Sequence, residues 1–246
     1  MRLTESQDAF GMAVWDHYHG RPAFEILERS DGSVRPSGGP TEYLAEYAQW
    51  QEHEKKAIKL ARGRVLDIGC NAGRHALYLQ KKGLDVVGVD NSPLALETAR
   101  LRGLRQTRLL SITGLSKRLG QFDTILMLGN NFGLFENRTR ARWLLRRFKG
   151  FTSPAARIIA ESLDIYRTAD PDDLAYLASN RRKGRMSGQV RARCRYKTLA
   201  TPWFDYLMVS KKEMEEIVSG TGWKVRRYFD SDGPRPNYIA IIERAD

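Results

Sequence analysis

Cysteine is scarce in this chain: only Cys70 and Cys194 carry a thiol among 246 residues. That excludes a small disulfide-stapled scaffold, and the expectation is a reduced, cytoplasmic protein with no bridge between the two. Histidine is scarce too, with four residues, and no Cys, His and Asp stand at metal-ligand spacing, so no metal is expected. No apolar run approaches the ~20 residues of a membrane span. Met1-Arg2-Leu3 does not begin a charged, apolar, small-residue leader, and no membrane partner is expected. Internal repeats and long low-complexity tracts are also missing.

Acidic side chains are the minority, 29 against 41 Lys and Arg, for a net charge of +12. The excess is local. Residues 138–149 carry six cations and no acid, and residues 181–197 carry eight and no acid, so the remainder of the chain is slightly acidic. Basic segments of this kind can recruit phosphate or carboxylate substrates, RNA or anionic membranes, or form a solvated face.

The most informative stretch is Val65-Leu66-Asp67-Ile68-Gly69-Cys70-Asn71-Ala72-Gly73-Arg74-His75, followed by Val86-Val87-Gly88-Val89-Asp90-Asn91-Ser92-Pro93. It reads as a strand, a glycine-bearing turn, a helix, and a second strand ending in a carboxylate. A dinucleotide site wants G-x-G-x-x-G after the first strand, where backbone amides and a helix N-terminus receive a pyrophosphate. Here Asp67 stands just before the turn. A carboxylate there repels pyrophosphate but attracts the ammonium and sulfonium of S-adenosylmethionine. Asp90, 21 residues after Gly69, has the spacing of the acid that binds ribose hydroxyls. Both parts resemble motifs I and II of the class I S-adenosylmethionine-dependent methyltransferases. Asn71 replaces the middle glycine of that pattern, and asparagine tolerates left-handed backbone angles. The resemblance implies S-adenosylmethionine as cofactor, S-adenosylhomocysteine as product, and cofactor contacts from Asp67, Gly69, Cys70, Asn71, Gly73, Arg74, Asp90, Asn91, Ser111, Ile112 and Gly129.

The chain length suits one α/β domain with additions. Strands are expected at Val65–Ile68, Asp85–Val89, Thr107–Ile112, Phe122–Leu128 and Arg157–Glu161. Helices are expected at Arg74–Lys82 and Pro93–Arg102, and after the cap Asn137. Alternation of this kind implies a doubly wound parallel sheet. Helix Lys211–Ser219 and strands Trp223–Tyr228 and Asn237–Glu243 then resemble the reversed hairpin that completes the seven-stranded, mostly parallel methyltransferase sheet. Residues 1–62 form an expected N-terminal cap segment, with a hairpin turning at Asp31-Gly32 and a long helix over Thr41–Arg62. Residues 63–246 are the expected methyltransferase domain, with the β insertion 166–210 after strand five as a substrate lid. Within it Val190, Ala192, Cys194 and Tyr196 alternate with Arg191, Arg193, Arg195 and Lys197, the period of a half-buried strand, with 203–209 as a plausible partner.

Ligands of open α/β sheets bind beyond the carboxyl ends of the strands. Leu128-Gly129-Asn130-Asn131-Phe132 follows strand four and looks like the L-G-N-S-[FI] stretch of small-molecule N-methyltransferases. Asn130 and Asn131 are therefore candidates to orient an acceptor, with Glu161 at the end of strand five as a candidate base. Asp205, His17 and His19 are weaker candidates for that role, and His75 is expected to pack or cap. Tyr43, Tyr166, Arg195 and Trp203 are candidate substrate contacts, Arg195 for an anionic group. The expected function is methyl transfer to a small molecule, nitrogen before oxygen. An RNA or ribosome methyltransferase is the second choice, and a non-catalytic S-adenosylmethionine-binding regulator the third.

Overall fold

The computed structural model describes residues 2–245. In chain order the elements are α1 (Ala9–Tyr18), β1 (Ile26–Arg29), β2 (Val34–Pro36), α2 (Gly39–Leu44), α3 (Glu52–Ile58), β3 (Arg64–Ile68), α4 (Arg74–Lys81), β4 (Asp85–Asp90), α5 (Pro93–Leu101) and β5 (Thr107–Leu109). There follow β6 (Phe122–Met127), α6 (Arg138–Phe148), β7 (Thr152–Leu163), α7 (Pro171–Arg182), β8 (Gln189–Tyr196), β9 (Leu199–Ala200), β10 (Phe204–Leu207), α8 (Lys211–Val218), β11 (Trp223–Asp230) and β12 (Asn237–Arg244).

Seven strands form one sheet in the order β11-β12-β7-β6-β3-β4-β5. The pairs β3/β4, β4/β5 and β6/β7 are parallel. β12 runs antiparallel to both β7 and β11, so the reversed C-terminal hairpin is present as expected. Val65, Leu66 and Ile68 on β3 and Val86, Val87 and Val89 on β4 are all buried. That is why both strands read as apolar runs rather than alternating ones.

The chain divides into two compact units: Met1–Trp50, Arg62–Leu115 and Ala192–Phe204 in one, and Gln51–Ala61, Ser116–Arg191 and Asp205–Asp246 in the other. In the first unit α1 packs on α5, and a single buried carboxylate fixes the contact. Asp8 caps α1 by accepting from the Gly11 amide at 2.9 Å, and also accepts from the Ser92 hydroxyl at 2.8 Å and the Leu94 amide at 3.0 Å. Ser92 in turn caps α5 through the Ala95 amide at 3.0 Å, with Pro93 at the first helical position as expected. The approach is close enough to require glycine, since a Cβ on Gly11 would lie 2.3 Å from Asp8 Oδ2 and 2.4 Å from Ser92 Oγ.

A second sheet has the order β10-β8-β1-β2, with β9 paired to β8. The hairpin at Asp31-Gly32 is its β1/β2 pair. Strand β8 lies antiparallel to β1, Leu27 opposite Cys194 and Glu28 opposite Arg193. Its alternation holds: Ala192, Cys194 and Tyr196 are buried while Arg191 and Arg195 are exposed. Cys70 and Cys194 are both unbridged.

In the second unit, Ala141, Leu144, Leu145 and Phe148 form the buried stripe of α6, as their spacing predicts.

The expected single helix over Thr41–Arg62 does not form. The chain leaves α2 at Ala45 with ψ 136°. Capping boxes at Glu46 with Gln49 and at Gln51 with Glu54 then start new helical turns. The reason lies in Trp50, which is buried against His75 and Tyr78 and donates its indole N–H to the Ala45 carbonyl at 3.0 Å. A continuous helix would already use that carbonyl for its own ladder. The third strand is also shorter than expected, ending at Leu109, because Ser111 opens a 3-10 turn. The insertion contains α7, which was not expected, capped by Asp170 on the Asp172 amide at 2.9 Å. Among the described residues no helix is long and apolar enough to cross a membrane.

Candidate functional site

The turn after β3 is built on left-handed backbone at three positions: Gly69 at φ 72°, Asn71 at 47° and Gly73 at 79°. Asparagine is the non-glycine residue best suited to such an angle, and Asn71 Oδ1 steadies it by accepting from the Ala72 amide at 2.7 Å. The Gly69 and Cys70 amides donate to the Val89 carbonyl at 2.8 and 3.1 Å, tying the turn to the end of β4. Gly88 is needed for this approach, because a Cβ there would lie 2.8 Å from Cys70 Sγ.

Asp90 closes β4 and organises both sides of the turn. Its Oδ2 accepts from the Asn71 amide at 2.9 Å and its Oδ1 from the Ser92 amide at 2.9 Å. A carboxylate oxygen has a second lone pair, so both remain able to receive hydroxyl donors. Burial pushes the Asp90 pKa up, opposed by those two amides and assisted by the charge of Asp8. Asp67, on β3, is 2% exposed and its Oδ2 has no protein partner. Burial raises its pKa to about 6, His75 opposing and Asp90 adding to the rise. A buried carboxylate oxygen left unanswered by the protein suits a cationic ligand group. Arg74 at the head of α4 donates to the Glu42 carbonyl at 3.2 Å and lies over the Trp50 ring. Asn91 accepts the Leu3 amide at 3.0 Å. The Ser111 hydroxyl meets that of Thr113 at 2.9 Å, with Ile112 buried beside it. All of these residues lie in the first unit.

The other candidates cluster in the second unit, around Glu161. Its Oε2 accepts from the Gly129 amide at 2.7 Å and the Asn130 amide at 3.4 Å, and its Oε1 from Asn237 Nδ2 at 2.8 Å. His53 Nε2 stands 3.7 Å from the same Oε1. Gly129 thus shares Glu161 with Asn130. Asn130, left-handed at φ 62°, also accepts the Tyr206 hydroxyl on its carbonyl at 2.6 Å, and Asn131 begins the following 3-10 turn. Burial pushes the Tyr206 phenol up, with the charge of Glu161 adding to it. His53, Asn237 and Tyr206 were not expected at the site. Nothing in the local pattern marks them, since each is brought to Glu161 by tertiary packing alone.

The remaining candidates have partners within the fold. Arg193 and Arg195 share Glu28 at 2.9 and 3.0 Å, while Arg191 and Arg185 share Asp205 at 3.2 and 3.7 Å. Trp203 lies under the Arg193 guanidinium, and the Tyr166 hydroxyl donates to Glu213 at 2.7 Å. His19 packs against Trp15 with its ring tilted by 41°. Tyr43 donates to Glu25 at 3.0 Å, beside the Ser37 hydroxyl at 2.7 Å. Among the described residues no group of three His, Cys, Asp or Glu could hold a metal ion.

Glu25 has a consequence for stability. Burial raises its pKa to about 7, against the opposing bonds from Ser37 and Tyr43 and with the charge of Glu42 adding to the rise. The folded state thus holds this proton more tightly than the unfolded chain does. The associated stability is complete below the ordinary value of 4.5 and is lost as pH rises towards 7. Urea titrations should show wild type losing ground to Glu25→Gln between pH 5 and pH 8; equal pH slopes in the two proteins would show that Glu25 is ionised throughout.

Residues 65–153 match the model of a family described as a methyltransferase domain. Across solved structures, the chain is similar to an S-adenosylmethionine-dependent methyltransferase from Bacteroides fragilis in complex with S-adenosylhomocysteine. The two are 26% identical over 100% of this chain and 98% of that one, with a TM-score of 0.84. It shares its fold with an amino pentose methyltransferase from Micromonospora echinaspora, at 17% identity over 80% of this chain and 93% of that one, TM-score 0.54. The same holds for the 1,6-didemethyltoxoflavin-N1-methyltransferase of Burkholderia thailandensis, at 16% identity over 80% of each chain, TM-score 0.52. No curated protein matches the chain. The matched domain and the full-length likeness make this chain an enzyme, a methyltransferase whose cofactor is S-adenosylmethionine.

Proposed function

We propose that the chain transfers the methyl group to a small-molecule acceptor, at nitrogen rather than oxygen. S-adenosylmethionine supplies a methyl group already activated on a sulfonium. The protein's own work is then to bind, orient and remove one proton. Asp67 and the turn at Gly69–Gly73 would hold the cationic end of the cofactor, and Asp90 its ribose hydroxyls. Gly129, Asn130, Asn131 and Glu161 would position the acceptor.

The observation that supports the small-molecule reading is that several cations of the two basic segments are engaged by partners within the fold. Arg191, Arg193 and Arg195 face Asp205 and Glu28. Arg138 and Arg140 face Glu216 and Glu136. Arg142 caps the end of α8 by donating to the carbonyls of Glu216, Ile217 and Ser219. Cations engaged in this way are less available to neutralise the phosphates of an RNA. Tyr43, Tyr166, Arg195 and Trp203 remain proposed substrate contacts, and the cytoplasm the proposed location.

Incubating the protein with labelled S-adenosylmethionine and a panel of amino acids, amino sugars and amino-heterocycles should transfer label to at least one amine. Label appearing in added RNA and in none of the small acceptors would overturn this reading in favour of RNA methylation.

A further inference from the structure

The side chains of His53 and Asn237 and the backbone amide of Asn130 converge on Glu161, and each of the three residues keeps a buried side-chain polar atom with no protein partner. These atoms are Asn130 Oδ1, Asn237 Oδ1 and both ring nitrogens of His53. His53 is 2% exposed, on the first turn of α3, which packs against β11 and β12. Its closest approach to a carboxylate is the 3.7 Å to Glu161, too long for a hydrogen bond. Leaving such groups unanswered costs ~1–3 kcal/mol each, so the arrangement is sustained for a ligand. The identity of the atoms says which ligand. Asn237 must turn its amide nitrogen to Glu161, because a carboxylate only accepts, and its oxygen is therefore the atom left over. The two amide oxygens are acceptors, and a neutral imidazole offers one acceptor nitrogen. The site asks for a group bearing several N–H donors.

We propose that the acceptor is a neutral primary amine, that Asn130 and Asn237 receive its two N–H groups, and that His53 takes the proton released once methylation has made the nitrogen cationic. This rests on the small-molecule reading above. The amine lone pair forms the new N–C bond as the S–C bond of the sulfonium breaks, its electron pair staying on sulfur. The alkylated nitrogen, now cationic, passes one N–H proton to the imidazole. The resulting imidazolium is held beside the Glu161 carboxylate until solvent removes the proton. Glu161 is thus assigned a positioning role: it holds the Gly129 and Asn130 amides and the Asn237 side chain, and stands beside His53.

The test uses the full-length protein and the best amine of the panel. His53→Gln should lower kcat by ~100-fold, the lower end of the range for general-base removal. The KM for S-adenosylmethionine, the Kd for S-adenosylhomocysteine by calorimetry and the thermal midpoint should stay near wild type. Independently of turnover, histidine-selective 15N spectra of wild type with S-adenosylhomocysteine should show the His53 ring signal moving when the amine is added, with His17 and His19 unmoved. Turnover in His53→Gln within ~3-fold of wild type, or a His53 signal indifferent to the amine, overturns this inference alone. Failure of wild type itself to methylate any panel amine overturns it together with the small-molecule reading, and is recognised because no variant is involved.

Discussion

Replacing Asp90 by alanine should weaken binding of S-adenosylmethionine and S-adenosylhomocysteine at least ten-fold, from a wild-type affinity in the micromolar range, about −8 kcal/mol. Losing hydrogen bonds to one charged group removes ~1.5–3 kcal/mol. The effect should reach the upper part of that range because Asp90 also holds the Asn71 and Ser92 amides at 2.9 Å. The left-handed Asn71 then loses one of the contacts that fix it. Titration calorimetry reads the result, and a change of less than two-fold would remove Asp90 from the cofactor contacts. Asp90→Asn should fall between, since an amide oxygen can still accept but its nitrogen must face one of the two backbone donors.

The second large effect is on stability. Asp8→Ala strips three donors at once, the Gly11 amide, the Ser92 hydroxyl and the Leu94 amide. A helix cap contributes ~1 kcal/mol, and each buried donor left without a partner costs ~1–3 kcal/mol. A total loss of about 3 kcal/mol is expected from urea denaturation, allowing for relaxation around the smaller side chain. Because burial raises the Asp8 pKa, ionising it costs the folded protein something that alanine does not incur. The deficit of the variant should accordingly be smaller at neutral pH than at pH 4. A loss under 1 kcal/mol at both would mean that α1 holds to α5 through apolar contacts alone.

The parts of this molecule that could be read from its sequence are those whose cause is local. The strand, turn and helix from Arg64 to Lys81 announce themselves because glycine and asparagine at Gly69, Asn71 and Gly73 are what left-handed backbone demands. The caps Ser92 and Asn137 are equally local, each accepting from an amide three residues on. The alternation over 189–197 correctly indicated a strand with arginines on one side, but periodicity says which face is buried and not which strand lies alongside. Glu28 as the partner of Arg193 and Arg195 was therefore invisible. The break in the helix before Arg62 was hidden for a similar reason. Helical spacing of Tyr43, Tyr47 and Trp50 favours one continuous helix. The indole of Trp50 overrides it by taking the Ala45 carbonyl and packing against His75 and Tyr78, which lie well beyond it in the chain. Glu161 was legible at a strand end, where ligands gather. His53 was not, for it is one helical position among many until the fold sets it 3.7 Å from that carboxylate.

The pairing of β1 with β8 also dictates an order of events during synthesis. Glu28 meets Arg193 across a separation of 165 residues in sequence. The amino-terminal hairpin therefore emerges early and must wait, with one edge of β1 unpaired, while most of the polypeptide is made. Closing so long a loop is entropically slow, and an exposed strand edge is a template for association with other chains. Glu28 stands on that edge, and a charged side chain on an unpaired edge disfavours strand-to-strand association. The later arrival of Arg193 and Arg195 turns the same side chain from a guard into a clasp.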